Sequence, residues 1–158
     1  MRFTLIKNVK QDKMMRPLLN GLLLFMLLYI IFDIFVKSET MGISTTAITT
    51  TLFGNADEFI DPMNASVFLE SLHTQIFFLM MIVLTLSAVF IRLLHKKSRV
   101  ILMINLLLGF ALLTPIALLS AYFYSGEFIS IYLFSFFSWH LIAFSMIVRS
   151  VWELNFVK

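Results

Sequence analysis

The chain has 158 residues, of which 60% are hydrophobic and 13% are charged, with a formal net charge of +3 and no cysteine. Soluble domains average about 45–50% apolar and about 25% charged residues. The composition therefore excludes a soluble enzyme, a disordered tail and a disulfide-rich secreted protein. The lack of cysteine also excludes thiolate zinc sites and cysteine nucleophiles. The expected class is an integral protein of the lipid bilayer.

Four segments with few or no charges are long enough to cross a bilayer as helices. A hydrocarbon core about 30 Å thick needs about 20 helical residues, and none of the four alternates apolar and polar residues as barrel strands do. We therefore predict an all-α membrane protein, with one compact bundle of four transmembrane helices over residues 17–158. The predicted spans are residues 17–36, 74–94, 100–124 and 128–148.

Basic residues are concentrated on one side of the predicted membrane. They crowd the N-terminal segment, residues 1–16, and every Lys or Arg except Lys37 falls on the same side. The positive-inside rule therefore places both termini in the cytoplasm, and the expected location is a prokaryotic cytoplasmic (inner) membrane. This asymmetry also explains the net charge, so no nucleic-acid partner is expected.

The first span contains an ionisable residue near its outer end. Asp33 lies about one helical turn inside the predicted boundary, and Tyr29 precedes it by four residues on the same helix face. Ionisable groups within spans are candidates for function, so Asp33 and Tyr29 could form an ion or proton site. The alternative is a carboxylate at the interface that reaches water.

The extracytoplasmic loop, residues 37–73, is predicted to be partly helical. Ser44 is suited to an N-cap and Gly54 to the residue after a helix end. The threonines between them also suit an extended segment. Asp61 followed by Pro62 predicts the start of a helix that runs without a break into the second span.

Small and polar residues form stripes on the third and fourth spans. Such stripes let helices approach closely and hydrogen-bond across their interface. The predicted helix-packing or partner contacts are Asn105, Gly109, Ala117, Ala121, Ser135, Ser138 and Ser145. A compact bundle explains most of them. However, His140 lies about 200° around the helix from Ser138, so the fourth span has two faces to bury, which favours a partner helix.

His140 is the candidate for cofactor binding. It lies about 18 Å along the helix from Phe128, near the middle of the fourth span. Imidazole there could ligate haem b or contact a quinone, or it could hydrogen-bond across helices as a neutral side chain. No second histidine lies at the same depth, so a haem would need His140 of a second copy, or a methionine such as Met103. No cofactor is predicted outright.

No catalytic or metal-binding motif is present, so an enzyme is not the expected function. We predict an accessory, assembly or scaffold subunit that associates through its helices with another membrane protein or with a second copy. One alternative is a haem- or quinone-binding redox protein centred on His140. A second alternative is an oligomeric channel or transporter subunit that uses Asp33.

Overall fold

A computed structural model describes residues 14–94 and 99–156 of the chain. These residues form five helices and no strand: α1 (Met15–Thr40), α2 (Thr45–Phe53), α3 (Ala65–Leu94), α4 (Val100–Phe123) and α5 (Phe128–Asn155). All except α2 are long and apolar enough to cross a membrane. The predicted all-α architecture with four transmembrane helices is confirmed. Apart from its last three residues, the predicted basic segment 1–16 lies outside the described residues.

Three of the long helices extend beyond their predicted spans. The first helix continues to Thr40, and the last continues to Asn155. The third helix has 30 residues, which at 1.5 Å per residue gives about 45 Å, well beyond a core about 30 Å thick. α4 instead ends one residue before its predicted boundary, where the Tyr124 N–H bonds to the Ser120 carbonyl.

The short helix α2 begins and ends where the sequence predicts. The Ser44 hydroxyl accepts a hydrogen bond from the Ala47 N–H at 3.2 Å, which caps the first turn. Gly54 leaves the helix with φ +79°, in the left-handed region that favours glycine. α2 packs across one end of the bundle, where Ile48 and Leu52 are buried in an apolar cluster with side chains of α3, α4 and α5. We call this end of the bundle the loop end.

The predicted helix start at Asp61 is wrong, because α3 begins at Ala65. The preceding segment is not helical, and its Met63 N–H bonds to the Thr51 carbonyl of α2 at 3.2 Å. The Asn64 carboxamide then accepts a hydrogen bond from a backbone N–H of the first turn at 2.9 Å. Asn64, and not Asp61, therefore supplies the cap of the helix.

α5 is the central helix, and it contacts each of the other four helices. Both His140 and Ser135, which lie on different sides of α5, are buried by the chain itself. Ser138, from which the second face was predicted, is half-buried, and the predicted partner helix stays a prediction. By contrast, α1 packs mainly on α5 and only lightly on α3.

The two ends of the described chain meet at the end of the bundle opposite α2, which we call the terminal end. There the Arg16 guanidinium donates to the Asn155 carbonyl at 3.0 Å. The side-chain amides of Asn20 and Asn155 exchange hydrogen bonds at 3.2 and 3.0 Å. These polar contacts attach the start of α1 to the end of α5.

Candidate binding site

Asp33 of α1 and His140 of α5 meet inside the bundle. The Asp33 Oδ2 lies 3.1 Å from the His140 Nε2, and the two side chains are 14% and 4% exposed. The contact has the length of an ion pair, although its angle is not that of a hydrogen bond. Two residues that the sequence analysis assigned to different hypotheses thus belong to one site.

The length of α1 explains why the sequence placed these residues at different depths. Because α1 continues to Thr40, Asp33 lies about two turns from the helix end, and not one turn as predicted from the span boundary. The carboxylate is therefore deep enough to reach His140. Tyr29 lines the same region, but within the described residues it makes no hydrogen bond to Asp33.

The hydrogen bond of His140 to the backbone shows which ring nitrogen carries a hydrogen. The His140 Nδ1 lies 2.8 Å from the Phe136 carbonyl oxygen. A carbonyl can only accept, so Nδ1 carries a hydrogen and donates it. The Nε2 faces the Asp33 carboxyl group at 3.1 Å, outside hydrogen-bond geometry.

Aromatic rings enclose the His140 imidazole. The ring centroids of Trp139 and Phe136 lie 3.8 and 4.2 Å from that of His140. The Tyr132 side chain, also on α5, lies within electrostatic range of Asp33. Low polarity around the pair strengthens its attraction and raises the cost of losing either partner.

A groove of about 510 Å³ opens between α1 and α3 beside Asp33. It exists because these two helices pack on α5 but touch each other only lightly. Its volume lies in the range of small-molecule sites, about 300–1,000 Å³. We call it the α1–α3 groove; its lining residues are Tyr29, Phe32, Asp33, Val36, Lys37, Thr40, Val67, Glu70, Ser71, Thr74, Gln75 and Phe78.

The groove wall contains a buried lysine and an unused amide donor. The Lys37 Nζ donates to the Gln75 Oε1 at 2.9 Å, and these residues are only 6% and 7% exposed. The Gln75 Nε2 has no hydrogen-bond acceptor within the described part of the chain. Lys37 follows Asp33 by four residues on α1 and lies within range of its charge. The Gln75 amide is therefore a buried donor without an acceptor among the described residues.

The sequence analysis missed the contribution of Lys37 and Gln75. Lys37 fell just beyond the predicted end of the first span and was assigned to the loop. Two signals were available: Lys37 lies four residues after Asp33, and Gln75 is the one carboxamide in the predicted second span.

The predicted packing stripe on α4 divides into two halves. Ala117 and Ala121, toward the loop end, are buried in the bundle. Asn105 and Gly109, toward the terminal end, face outward, and a Cβ added to Gly109 would meet nothing within 4 Å.

The predicted serines of α5 satisfy their hydroxyls within their own helix. Ser135, Ser138 and Ser145 donate to backbone carbonyls three or four residues earlier, at 2.9, 2.6 and 2.7 Å. Ser135 is fully buried, whereas Ser145 is exposed. These hydroxyls therefore bond along α5 and not to neighbouring helices.

The two ring nitrogens of His140 have different neighbours. Its Nδ1 is bonded to the Phe136 carbonyl and its Nε2 faces Asp33. Met103, the other ligand considered, accepts instead from Arg149 at 3.8 Å. Arg149 lies nine residues beyond His140, about 13 Å along α5.

A family model described as a transmembrane helical domain, Aq_1264_TM, matches residues 42–158, which is well over half of the chain. The chain belongs to this family. The match covers α2 to α5 and includes Gln75 and His140, while α1, with Asp33 and Lys37, precedes it. No curated protein and no solved structure matches the chain. Membership of the Aq_1264_TM family agrees with the multi-pass helical fold.

We expect loss of one partner of the Asp33–His140 pair to destabilise this Aq_1264_TM domain more than loss of both. Breaking a buried ion pair costs about 3–5 kcal/mol, whereas an apolar replacement of both partners is close to neutral. Asp33→Leu and His140→Leu should each lower the midpoint of thermal unfolding in mild detergent, and the double variant should recover most of it. Phe25→Leu, on the exposed side of α1 and outside the α1–α3 groove, is the matched control. Simple addition of the two single effects would show that the contact contributes nothing.

Proposed function

We propose that this membrane protein is a proton-linked binding protein that takes a small amphipathic molecule from the bilayer into the α1–α3 groove. The observation that supports this function is the Asp33–His140 pair at the wall of a groove of ligand size. Ionisable side chains within a span are energetically costly and usually functional. The Lys37–Gln75 contact adds the convergent polar groups expected of a ligand site.

The distribution of apolar and polar residues supports entry from the lipid. At the rim of the groove, the side chains of Phe32, Val36 and Phe78 are 62%, 54% and 46% exposed. The buried polar groups Lys37 and Gln75 lie in its wall. A molecule with an apolar tail can therefore keep that tail in lipid while its polar head contacts the wall, where no water competes for the hydrogen bonds.

Both alternatives from the sequence can use this groove. A quinone would place its carbonyl oxygens against the Lys37 and Gln75 donors, and no iron is needed for that contact. A transporter or channel subunit would use the proton at Asp33. The binding function is common to these hypotheses and is the part that the geometry supports best.

We further propose that the loop end faces the extracytoplasmic side of a prokaryotic cytoplasmic membrane, with both termini in the cytoplasm. Arg16 and Asn155 meet at the terminal end, so the two ends of the described chain lie on the same side of the bundle. In the sequence, basic residues cluster in the segments that adjoin the terminal end of the bundle. The positive-inside rule therefore favours a cytoplasmic location for that end.

Filling the groove should remove a co-purifying molecule. Thr74→Trp places a large ring in the groove, and Leu84→Trp, an exposed position on α3 outside it, is the matched control. We expect native mass spectrometry in mild detergent to show a bound small molecule on the wild type and on Leu84→Trp, but not on Thr74→Trp. An identical set of bound masses in all three proteins, or no bound mass on any, would contradict the proposed function.

Helix association is a second candidate function, as an accessory, assembly or scaffold subunit. It is supported by Asn105, a polar side chain that faces outward from an apolar helix and has no hydrogen bond within residues 14–94 and 99–156. One turn away, Gly109 leaves room for close approach of another helix. An amide in lipid and a small neighbour together favour helix–helix contact.

Cysteine crosslinking in native membranes tests this second function, because the chain has no cysteine of its own. We expect Gly109→Cys to give a crosslinked product, whose mass identifies a second copy or another membrane protein. Leu141→Cys, an exposed position on α5, should give none. Adding Asn105→Leu should weaken the Gly109→Cys product several-fold, since an interhelical hydrogen bond contributes about 1 kcal/mol. Equal crosslinking at Gly109 and Leu141 would indicate random collision.

A further inference from the structure

We infer that the bundle also binds an anionic glycerophospholipid at its terminal end, between the start of α1 and the end of α3. The lipid phosphate contacts the Arg92 guanidinium, and part of one acyl chain enters a cavity beside it. This site is separate from the α1–α3 groove, which lies toward the loop end, and it does not rest on the proposed function.

The first observation is a cavity of about 150 Å³ that adjoins Arg92. It lies between the first two turns of α1 and the last two turns of α3. These helices touch each other only lightly, so a gap remains at this end of their interface as well. We call it the Arg92 cavity; its lining residues are Met15, Leu19, Ala88, Val89, Arg92 and Leu93.

The walls of the Arg92 cavity suit a hydrocarbon chain. Five of its six lining side chains are apolar, and an apolar cavity of about 150 Å³ is large enough for benzene. Ala88 is exposed on α3, and its small side chain leaves the outer side of the cavity open. Several methylene groups of an acyl chain therefore fit, whereas a polar headgroup would lose its hydrogen bonds there.

The second observation is that Arg92 has no partner in the described part of the chain. It is exposed, and among residues 14–94 and 99–156 it makes neither a hydrogen bond nor an ion pair. Arg16 and Arg149, by contrast, donate to Asn155 and Met103. The Arg92 guanidinium is always charged and presents a fork of donors that matches the oxygens of a phosphate.

The charges around the Arg92 cavity favour an anion. Of the acidic residues in the described chain, Glu153 alone lies toward the terminal end. It is only 5% exposed, on α5, and it forms no ion pair with Arg92 within that part of the chain. An anionic headgroup therefore meets an arginine that no carboxylate neutralises.

The depth of the two parts matches the layers of a lipid. Arg92 lies in the last turn of α3, from which its long side chain reaches the headgroup layer. Ala88 lies one turn earlier, about 6 Å deeper along the helix, at the level of the acyl chains. Basic pockets between transmembrane helices bind the headgroups of anionic lipids in this manner.

The test uses the full chain in mild detergent with phosphatidylglycerol, which is anionic, and phosphatidylcholine, which is zwitterionic, both with the same acyl chains. We expect native mass spectrometry to show that the wild type binds phosphatidylglycerol about fivefold more tightly. Arg92→Met should remove this preference. Arg99→Met removes another exposed arginine, outside the Arg92 cavity, and should keep the preference.

A second pair of variants tests the cavity. Ala88→Trp fills the cavity and should weaken the binding of both lipids several-fold, because the acyl chain loses its apolar contact. Leu84→Trp, one turn earlier on α3 and outside the cavity, should bind both lipids as the wild type does. Glycerol 3-phosphate, which has the phosphate without the chains, should bind far more weakly than phosphatidylglycerol.

Four results would overturn this inference. Equal binding of the two lipids by the wild type, or equal losses in Arg92→Met and Arg99→Met, would show a general attraction to the basic end of the bundle. Unchanged binding by Ala88→Trp would remove the acyl chain from the cavity. Glycerol 3-phosphate that binds as tightly as phosphatidylglycerol would overturn the lipid as the source of the phosphate.

The variant Thr74→Trp separates this inference from the proposed function. It fills the α1–α3 groove, so it should lose the molecule bound there and still bind phosphatidylglycerol with the preference of the wild type. Loss of that preference in Thr74→Trp would place the lipid in the α1–α3 groove and would overturn a separate site at Arg92.

Discussion

The contact between Asp33 and His140 is the constraint on which the position of α1 depends. A carboxylate inside a membrane-spanning helix must be paired or neutral, because lipid offers it no water. The partner that α5 provides lies 3.1 Å away. This contact and the Arg16–Asn155 bond at the terminal end attach α1 to α5 at two levels. α1 consequently touches α3 only lightly, and the groove with Lys37 and Gln75 in its wall is the result.

Features that depend on local sequence were predicted well. The four long helices follow from stretches of apolar residues, and the ends of α2 follow from the Ser44 cap and from Gly54. The predicted helix start at Asp61 was wrong because the Met63 N–H bonds to the Thr51 carbonyl of α2 and not within a first turn of α3. That bond joins residues that no local pattern connects.

The site could be predicted only in part. Asp33 and His140 can be identified in the sequence as ionisable residues within apolar spans. Their pairing, however, depends on how α1 packs on α5. The end of α1 at Thr40 also moved Lys37 from the loop into the helix. On α4, spacing alone could not separate the buried Ala117 from the outward-facing Gly109. Ala117 and Gly109 differ in burial because α2 and its neighbours cover the loop end of the bundle.

The most direct test of this account is the nitrogen-15 spectrum of His140, in a chain where His73→Gln and His95→Gln leave it as the sole imidazole. The account predicts that Nδ1 carries a hydrogen, since it faces the Phe136 carbonyl. It also predicts that the Nε2 resonance shifts when Asp33 is replaced by Asn. An Nδ1 without hydrogen would contradict the Phe136 hydrogen bond, and an Nε2 resonance unaffected by Asp33→Asn would contradict the Asp33–His140 contact.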